Sequence, residues 1–296
     1  MDLVLWFNTI PSTLIAPVSC FSRPLIHLIS VDFPEPDGPQ TTTRSPKPTV
    51  SDTLFKALKS PKLFDIPSLS NGVLKAGTTG DWNPMTMKDA ATNSYTGYDI
   101  DVMTALAADM GVELEIVPTE WKTLVAGVTA GKYHMTGSAS ISPSRAKAAG
   151  YSISYFSLAT VPLTLKSNAG KYKDWDDLNN ADVRVAATLG TTQEKQVKQY
   201  FPDAKHVIVE SPAQPFQQVL SGRADAHITS NVEANKLVAI HSDLMIVPVS
   251  APKSSTPIAM LLPQADQVWI NYVNTWIKLK QERGFFDDLD AKWKVN

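Results

Sequence analysis

The run Gly137-Ser138-Ala139-Ser140-Ile141-Ser142-Pro143-Ser144-Arg145 gathers several hydroxyls and one guanidinium just after an apolar, strand-like stretch. A guanidinium offers a planar fork of donors that fits a carboxylate or related oxyanion with two parallel hydrogen bonds. Hydroxyls and strand-end amides complete such a cradle. Alone, the run also reads as a surface arginine in a helical turn that Pro143 opens. Four more polar clusters give it company: Thr78-Thr79-Gly80-Asp81-Trp82, Pro118-Thr119-Glu120-Trp121, Leu189-Gly190-Thr191-Thr192-Gln193-Glu194 and Thr229-Ser230-Asn231-Val232-Glu233. None is specific by itself. Each follows a short apolar run.

The elements that must position these clusters alternate between strand and helix. Residues 73–77, 112–117, 134–137, 183–187, 207–209, 226–229, 245–249 and 256–262 read as strands. Residues 98–110 carry Val102, Leu106 and Met110 four apart, the spacing of an amphipathic helix, and Gly111 stops it. Residues 120–130, 192–200, 212–221, 230–239, 266–282 and 285–293 read as further helices. Such alternation implies an α/β fold with parallel-type sheets flanked by helices. Ligands of these sheets bind beyond the carboxyl ends of the strands, where all five clusters fall.

Composition bounds the function. The 296 residues carry a net charge of −2, which gives no field favouring nucleic acid. One cysteine, Cys20, cannot form an intrachain disulfide or a cysteine-rich metal site. The histidines are scattered without metal-pair spacing, and neither a metal nor a cofactor is expected. No run of roughly eighteen apolar residues suggests a membrane span. Residues 1–69 are rich in Pro, Ser and Thr without a sustained period, and read as a poorly ordered extension. Their apolar start is not a convincing signal peptide, because Asp2 replaces the usual positive charge and Pro11 and Pro17 interrupt it.

From residue 73 to 293 the chain resembles the family 3 solute-binding proteins, which carry small solutes to ABC transporters. The motifs are Tyr98-Asp99-Ile100-Asp101-Val102, Ser140-Ile141-Ser142 with Arg145, Gly190-Thr191-Thr192-Gln193-Glu194 and Gly222-Arg223-Ala224-Asp225-Ala226. Within the family, the clusters at 78–84, 118–121 and 191–195 are similar to those of cyclohexadienyl dehydratases, enzymes on the same scaffold that use a glutamate as general acid. The resemblance implies a type II periplasmic-binding-protein fold: lobe 1 from 70–161 plus 258–296, lobe 2 from 162–257, and two hinge strands. It also implies that Arg145 grips a ligand carboxylate, with Ser138 and Ser140 beside it. Trp82 and Trp121 become aromatic walls, and Thr191 and Thr192 anion contacts at a helix N-terminus. Glu194 matches the dehydratase acid. A periplasmic location and a permease partner follow from the same likeness.

The departures from the family pattern shape the ligand expectation. Amino-acid binders place aspartates where this chain has Thr79 and Ser230, and an ammonium buried without a carboxylate is costly. Asp81 and Glu233 are the nearest substitutes. A small carboxylate or sulfonate, apolar-tailed or betaine-like, is therefore expected ahead of a standard amino acid, with Tyr155 and Phe156 as additional aromatic faces. Two classes stay open: a binding protein for a small anionic or zwitterionic solute, or a prephenate/arogenate dehydratase with Glu194 as its acid.

Overall fold

A computed structural model describes residues 71–295; the expectations for the N-terminal extension and its leader lie outside the described residues. The first half opens with β1 (Val73–Thr78), then a small hairpin sheet of β2 (Asp81–Trp82), β3 (Thr86–Lys88) and β4 (Tyr95–Thr96). Helix α1 (Tyr98–Met110) buries Val102, Met103 and Leu106 and ends at Gly111, whose φ of 67° closes the last turn. Then come β5 (Glu113–Pro118), a single 3-10 turn (Trp121–Thr123), α2 (Leu124–Thr129), β6 (Met135–Ser140), α3 (Pro143–Ala146) and β7 (Gly150–Tyr151).

Strand β8 (Phe156–Leu165) crosses to the second half. That half contains β9 (Arg184–Thr188), α4 (Thr192–Tyr200), β10 (Lys205–Val209), α5 (Pro215–Leu220), β11 (Ala226–Ser230), α6 (Asn231–Ile240) and β12 (Leu244–Ile246). Strand β13 (Lys253–Leu262) returns, and α7 (Gln267–Glu282) and α8 (Phe285–Trp293) close the first half.

The main sheet runs β10-β9-β11-β8-β13-β6-β1-β5. It is mixed as a whole, but each half keeps the parallel set that the strand and helix alternation implies. The parallel pairs are β1 with β5 and β6, and β9 with β10 and β11. These two sets are joined through β8 and β13, which lie antiparallel to each other and to β11 and β6. The chain must cross between halves and come back, so its two crossing strands run in opposite directions. Each half keeps its own apolar core. One is built on Met103, Leu106, Met260, Trp269 and Trp276, the other on Trp175, Val185, Val197, Phe201 and Ile228. These separate cores make the halves two lobes.

Several boundaries differ from the sequence reading. The helix expected over 120–130 is broken into a 3-10 turn and a short helix, because the Glu120–Thr123 capping box starts one turn and the helix proper begins at Leu124. The helix expected from residue 212 starts at Pro215, and the strand expected over 245–249 is only Leu244–Ile246. The hairpin sheet and β7 were not among the expected strands, while β8 and β13 are the two hinge strands that the resemblance implied.

Candidate functional site

A cleft of about 530 Å³, its open mouth included, lies between the lobes. Lobe 1 lines it with Asp81, Trp82, Trp121, Ser138, Ser140 and Arg145. Lobe 2 contributes Thr188, Thr191, Thr192 and Gln193 at the β9–α4 junction, Gln214 before α5, and His227, Ile228, Thr229 and Glu233 around the end of β11. Both walls are strand ends and helix starts, because parallel strands deliver their carboxyl ends to one edge.

Arg145 is 8% exposed. Its Nη1 donates to the Ser140 carbonyl and its Nη2 to the Gly190 carbonyl across the cleft, both at 3.3 Å. Burial pulls its pKa down, but an arginine begins so high that it stays a cation. Two hydrogen bonds at the long end of the range leave donors over for an anion.

The floor beneath it is strained. Ser138 has φ 53°, unusual for a residue with a Cβ. Its N–H donates to the Tyr155 hydroxyl at 2.9 Å, and that hydroxyl donates to Asp99 at 2.5 Å. Burial drives the Asp99 carboxyl up to about 7 although the Tyr155 hydrogen bond opposes it. Tyr155 and Phe156, expected as ligand faces, are instead occupied: Tyr155 in this relay and stacked on Phe286, Phe156 against Tyr98.

The two tryptophans meet edge to face, with centroids 5.8 Å apart. Trp121 Nε1 donates to Asp81 Oδ1 at 3.0 Å, and the Ser211 hydroxyl of lobe 2 donates to Asp81 Oδ2 at 2.5 Å. Asp81 thus lines the cleft but already ties a wall to the opposite lobe.

Glu233 is the carboxyl with spare capacity. Its side-chain partner is the Thr229 hydroxyl. Burial raises its pKa to about 7, only partly offset by the Thr229 hydrogen bond, and the negative Asp81 adds to the rise. The acidic group that Ser230 and Thr79 were expected to have removed is therefore restored by Glu233. Ser230 is the N-cap of α6 and accepts the Glu233 N–H, and Glu233, at the third helical position, leans back toward the end of β11.

Three expected ligand residues do not line the cleft: Thr79, Ser230 and Glu194. Glu194 is held by the Gly190 N–H at 2.7 Å and by Lys198 at 2.6 Å. Burial acts to raise its pKa, but those hydrogen bonds outweigh it and hold the carboxylate below its usual range. In this arrangement the Glu194 carboxylate is engaged by Gly190 and Lys198 and is not among the groups that line the cleft. Thr188, Gln193, Gln214, His227, Ile228 and Thr229 line the cleft without having been expected to hold a ligand. His227 interrupts the apolar strand 226–228, the one signal that pointed to it.

Among the described residues there is no cluster of three or more potential metal ligands, and no helix is long and apolar enough to cross a membrane. A family model for bacterial extracellular solute-binding proteins, family 3, matches residues 74–296. The cyclohexadienyl dehydratase of Pseudomonas aeruginosa is 28% identical over 226 residues, 76% of this chain and 84% of that protein. The L-cystine-binding protein TcyJ of Escherichia coli K12 is 26% identical over 223 residues, 75% of this chain and 82% of that one. Among solved structures, the ancestral amino acid-binding protein AncCDT-1, a precursor of cyclohexadienyl dehydratase, superposes with a TM-score of 0.71 at 35% identity, covering 77% of this chain and 97% of that one. With a family model spanning three quarters of its length and a relative this similar, the chain belongs to the bacterial extracellular solute-binding proteins, family 3.

Proposed function

We propose that the cleft captures a single small amino acid outside the cytoplasm and delivers it to an ABC transporter. The observation that carries this reading is the pairing of Arg145 from lobe 1 with Glu233 from lobe 2 on one cleft. A zwitterion needs one cation for its carboxylate and one acid for its ammonium, and both charges are costly to bury without them. Arg145 has donors to spare, and Glu233 has the only cleft carboxylate not shared between a tryptophan and the opposite lobe. The relatives named for amino acids and cystine support an amino acid over the apolar-tailed carboxylate or sulfonate that Thr79 and Ser230 suggested. Calorimetry with the standard amino acids tests it: at least one should bind with micromolar or tighter affinity, and Arg145→Ala should abolish that binding. Failure of every amino acid to bind would refute the proposal.

A second reading is favoured by one observation. A carboxyl with a pKa near 7 in a partly closed cleft is suited to general acid work, and Glu233 has it. In a dehydratase acting on prephenate or arogenate, Glu233 rather than Glu194 would protonate the departing hydroxyl, which leaves as water while the ring carboxylate leaves as carbon dioxide. The dehydratase relative supports this as the alternative. Phenylpyruvate formed from prephenate by the purified protein would establish it.

A further inference from the structure

We propose that His227 selects the side chain of the bound amino acid, and that this side chain ends in an uncharged hydrogen-bonding group, an amide or a hydroxyl. The inference rests on the amino-acid reading above and extends it from the shared head group to the distal end of the ligand.

His227 is 3% exposed, the second residue of β11, and lines the cleft. Side chains alternate along a strand. Ala226 and Ile228 join the apolar core around Trp175 and Phe201. His227 and Thr229 therefore face the other way, toward α5 and α6. On that face the residues paired with His227 across the sheet are Leu163 and Ala186, both apolar and fully buried. A leucine or valine would suit the position. Instead an imidazole is buried there, and its Nδ1 has no hydrogen-bond partner among the described residues. Burying a polar atom in this way costs folding free energy that an apolar residue would not.

The neighbours of His227 explain what it gains. Thr229, two residues on and on the same face, donates to Glu233, and Gln214 at the cap of α5 also lines the cleft. These groups line the same cleft as Glu233, on the lobe opposite the Arg145 cradle. A ligand held by its carboxylate and ammonium would extend its side chain along these groups. Burial pushes His227 down to about 3, so the imidazole is neutral at any physiological pH. A neutral imidazole has one donor and one acceptor nitrogen. It complements an amide or hydroxyl, offers no charge to a second carboxylate, and gains nothing from an alkyl chain.

The full-length protein is tested by calorimetry against L-glutamine, L-asparagine, L-threonine, L-leucine and L-methionine. At least one of the first three should bind about tenfold or more tighter than leucine and methionine, the discrimination of a single well-made hydrogen bond. His227→Leu should erase that preference by weakening the polar ligands only. Its ligand-free melting temperature should hold or rise, since an imidazole whose Nδ1 has no partner is replaced by an apolar group. His227→Gln, which restores an amide, should keep the preference and serves if the leucine variant does not fold. A preference for leucine or methionine, no binding of any of the five, an unchanged preference in His227→Leu, or equal weakening of all five ligands would each overturn the assignment. Arg145→Ala separates the levels: it should weaken polar and apolar ligands alike, and if it weakens neither, the zwitterion reading has failed rather than the side-chain inference.

Discussion

Ligand affinity should fall steeply as pH is lowered from 7 to 5, and the sign of that change distinguishes the two readings of the site. In the free protein Glu233 titrates near 7 rather than at its ordinary 4.5. An ammonium can be paired only by the ionised carboxylate, so binding must expel the proton. Above pH 7 the carboxylate is mostly formed and affinity is full. At pH 5 only about 1% of free sites hold it, which weakens binding about 100-fold, or about 2.7 kcal/mol at 1.36 kcal/mol per unit. The fall continues until pH reaches the lower pKa of Glu233 in the complex. His227, neutral across this window, does not contribute. Calorimetry at pH 5, 6, 7 and 8, in buffers of different ionisation enthalpy, would report both the affinity and close to one proton released near pH 6. Glu233→Gln should bind more weakly at pH 8 and show a flat profile. An affinity that stays constant, or tightens on acidification, refutes the assignment of Glu233 to the ammonium. A dehydratase predicts the reverse: turnover that needs protonated Glu233 and declines above pH 7.

Arg145→Ala should cost about 3 kcal/mol or more in binding, a loss above 100-fold, while circular dichroism stays unchanged. Gly190→Ala should impair closure, because a Cβ there would lie 2.6 Å from the Lys122 backbone and φ is 80°; the expected signs are a faster off-rate and a larger radius of gyration with ligand by small-angle scattering. Glu194→Gln should leave affinity within about threefold and, if prephenate is turned over, leave that turnover intact, since its carboxylate is tied to Gly190 and Lys198. Asp99 titrates near 7 instead of 3.8, so its stabilising contribution is complete below pH 3.8 and lost as pH rises through 7, about 4 kcal/mol in all. Urea unfolding of Asp99→Asn at pH 4.5 and 8 should show a correspondingly weaker pH dependence than the parent.

The strand and helix alternation was legible because apolar period and punctuation agree. Residues 98–110, 192–200 and 285–293 are helices with the expected limits, bounded by residues visible in the sequence: Gly111 after the first, the Thr191 cap before the second and Gly284 before the third. The parallel set in each half was legible from the alternation; the antiparallel pairing that joins the two sets was not, since a long crossing strand such as β8 reads as a buried apolar run whichever way its neighbours point. The acid of the site was not legible for a sharper reason. Thr191-Thr192-Gln193-Glu194 and Ser230-Asn231-Val232-Glu233 carry the same capping pattern, a hydroxyl N-cap followed three residues later by glutamate. Both hydroxyls do cap, accepting the N–H of Glu194 and of Glu233. The side chains then part. Lys198, one turn along α4, and the Gly190 N–H hold Glu194 outside the cleft. One turn along α6 stands Leu237 instead, and the Thr229 hydroxyl draws Glu233 to the cleft. Neighbours four residues away, not the motif, decide which glutamate lines the cleft.

The same residues that would hold a ligand also hold the lobes together. Arg145 bridges Ser140 of its own lobe to the Gly190 carbonyl of the other. Ser140 meets Thr192 at 3.2 Å, and Asp81 takes Trp121 from one side and Ser211 from the other. Outside the cleft the lobe contacts are weaker in kind: Lys195 with Ser144, and Lys122 with Glu210, exposed pairs worth little each. A closure whose firmest contacts run through the ligand site is stabilised when a ligand fills the cleft between them. A carboxylate on Arg145 neutralises the buried cation while its Gly190 bond persists, and an ammonium on Glu233 relieves the repulsion that Asp81 imposes on it. Both effects favour the closed arrangement over an open one in which each charge is solvated separately. Affinity and closure are therefore coupled here: whatever a ligand adds to the stability of the closed arrangement, closure adds to the affinity for that ligand.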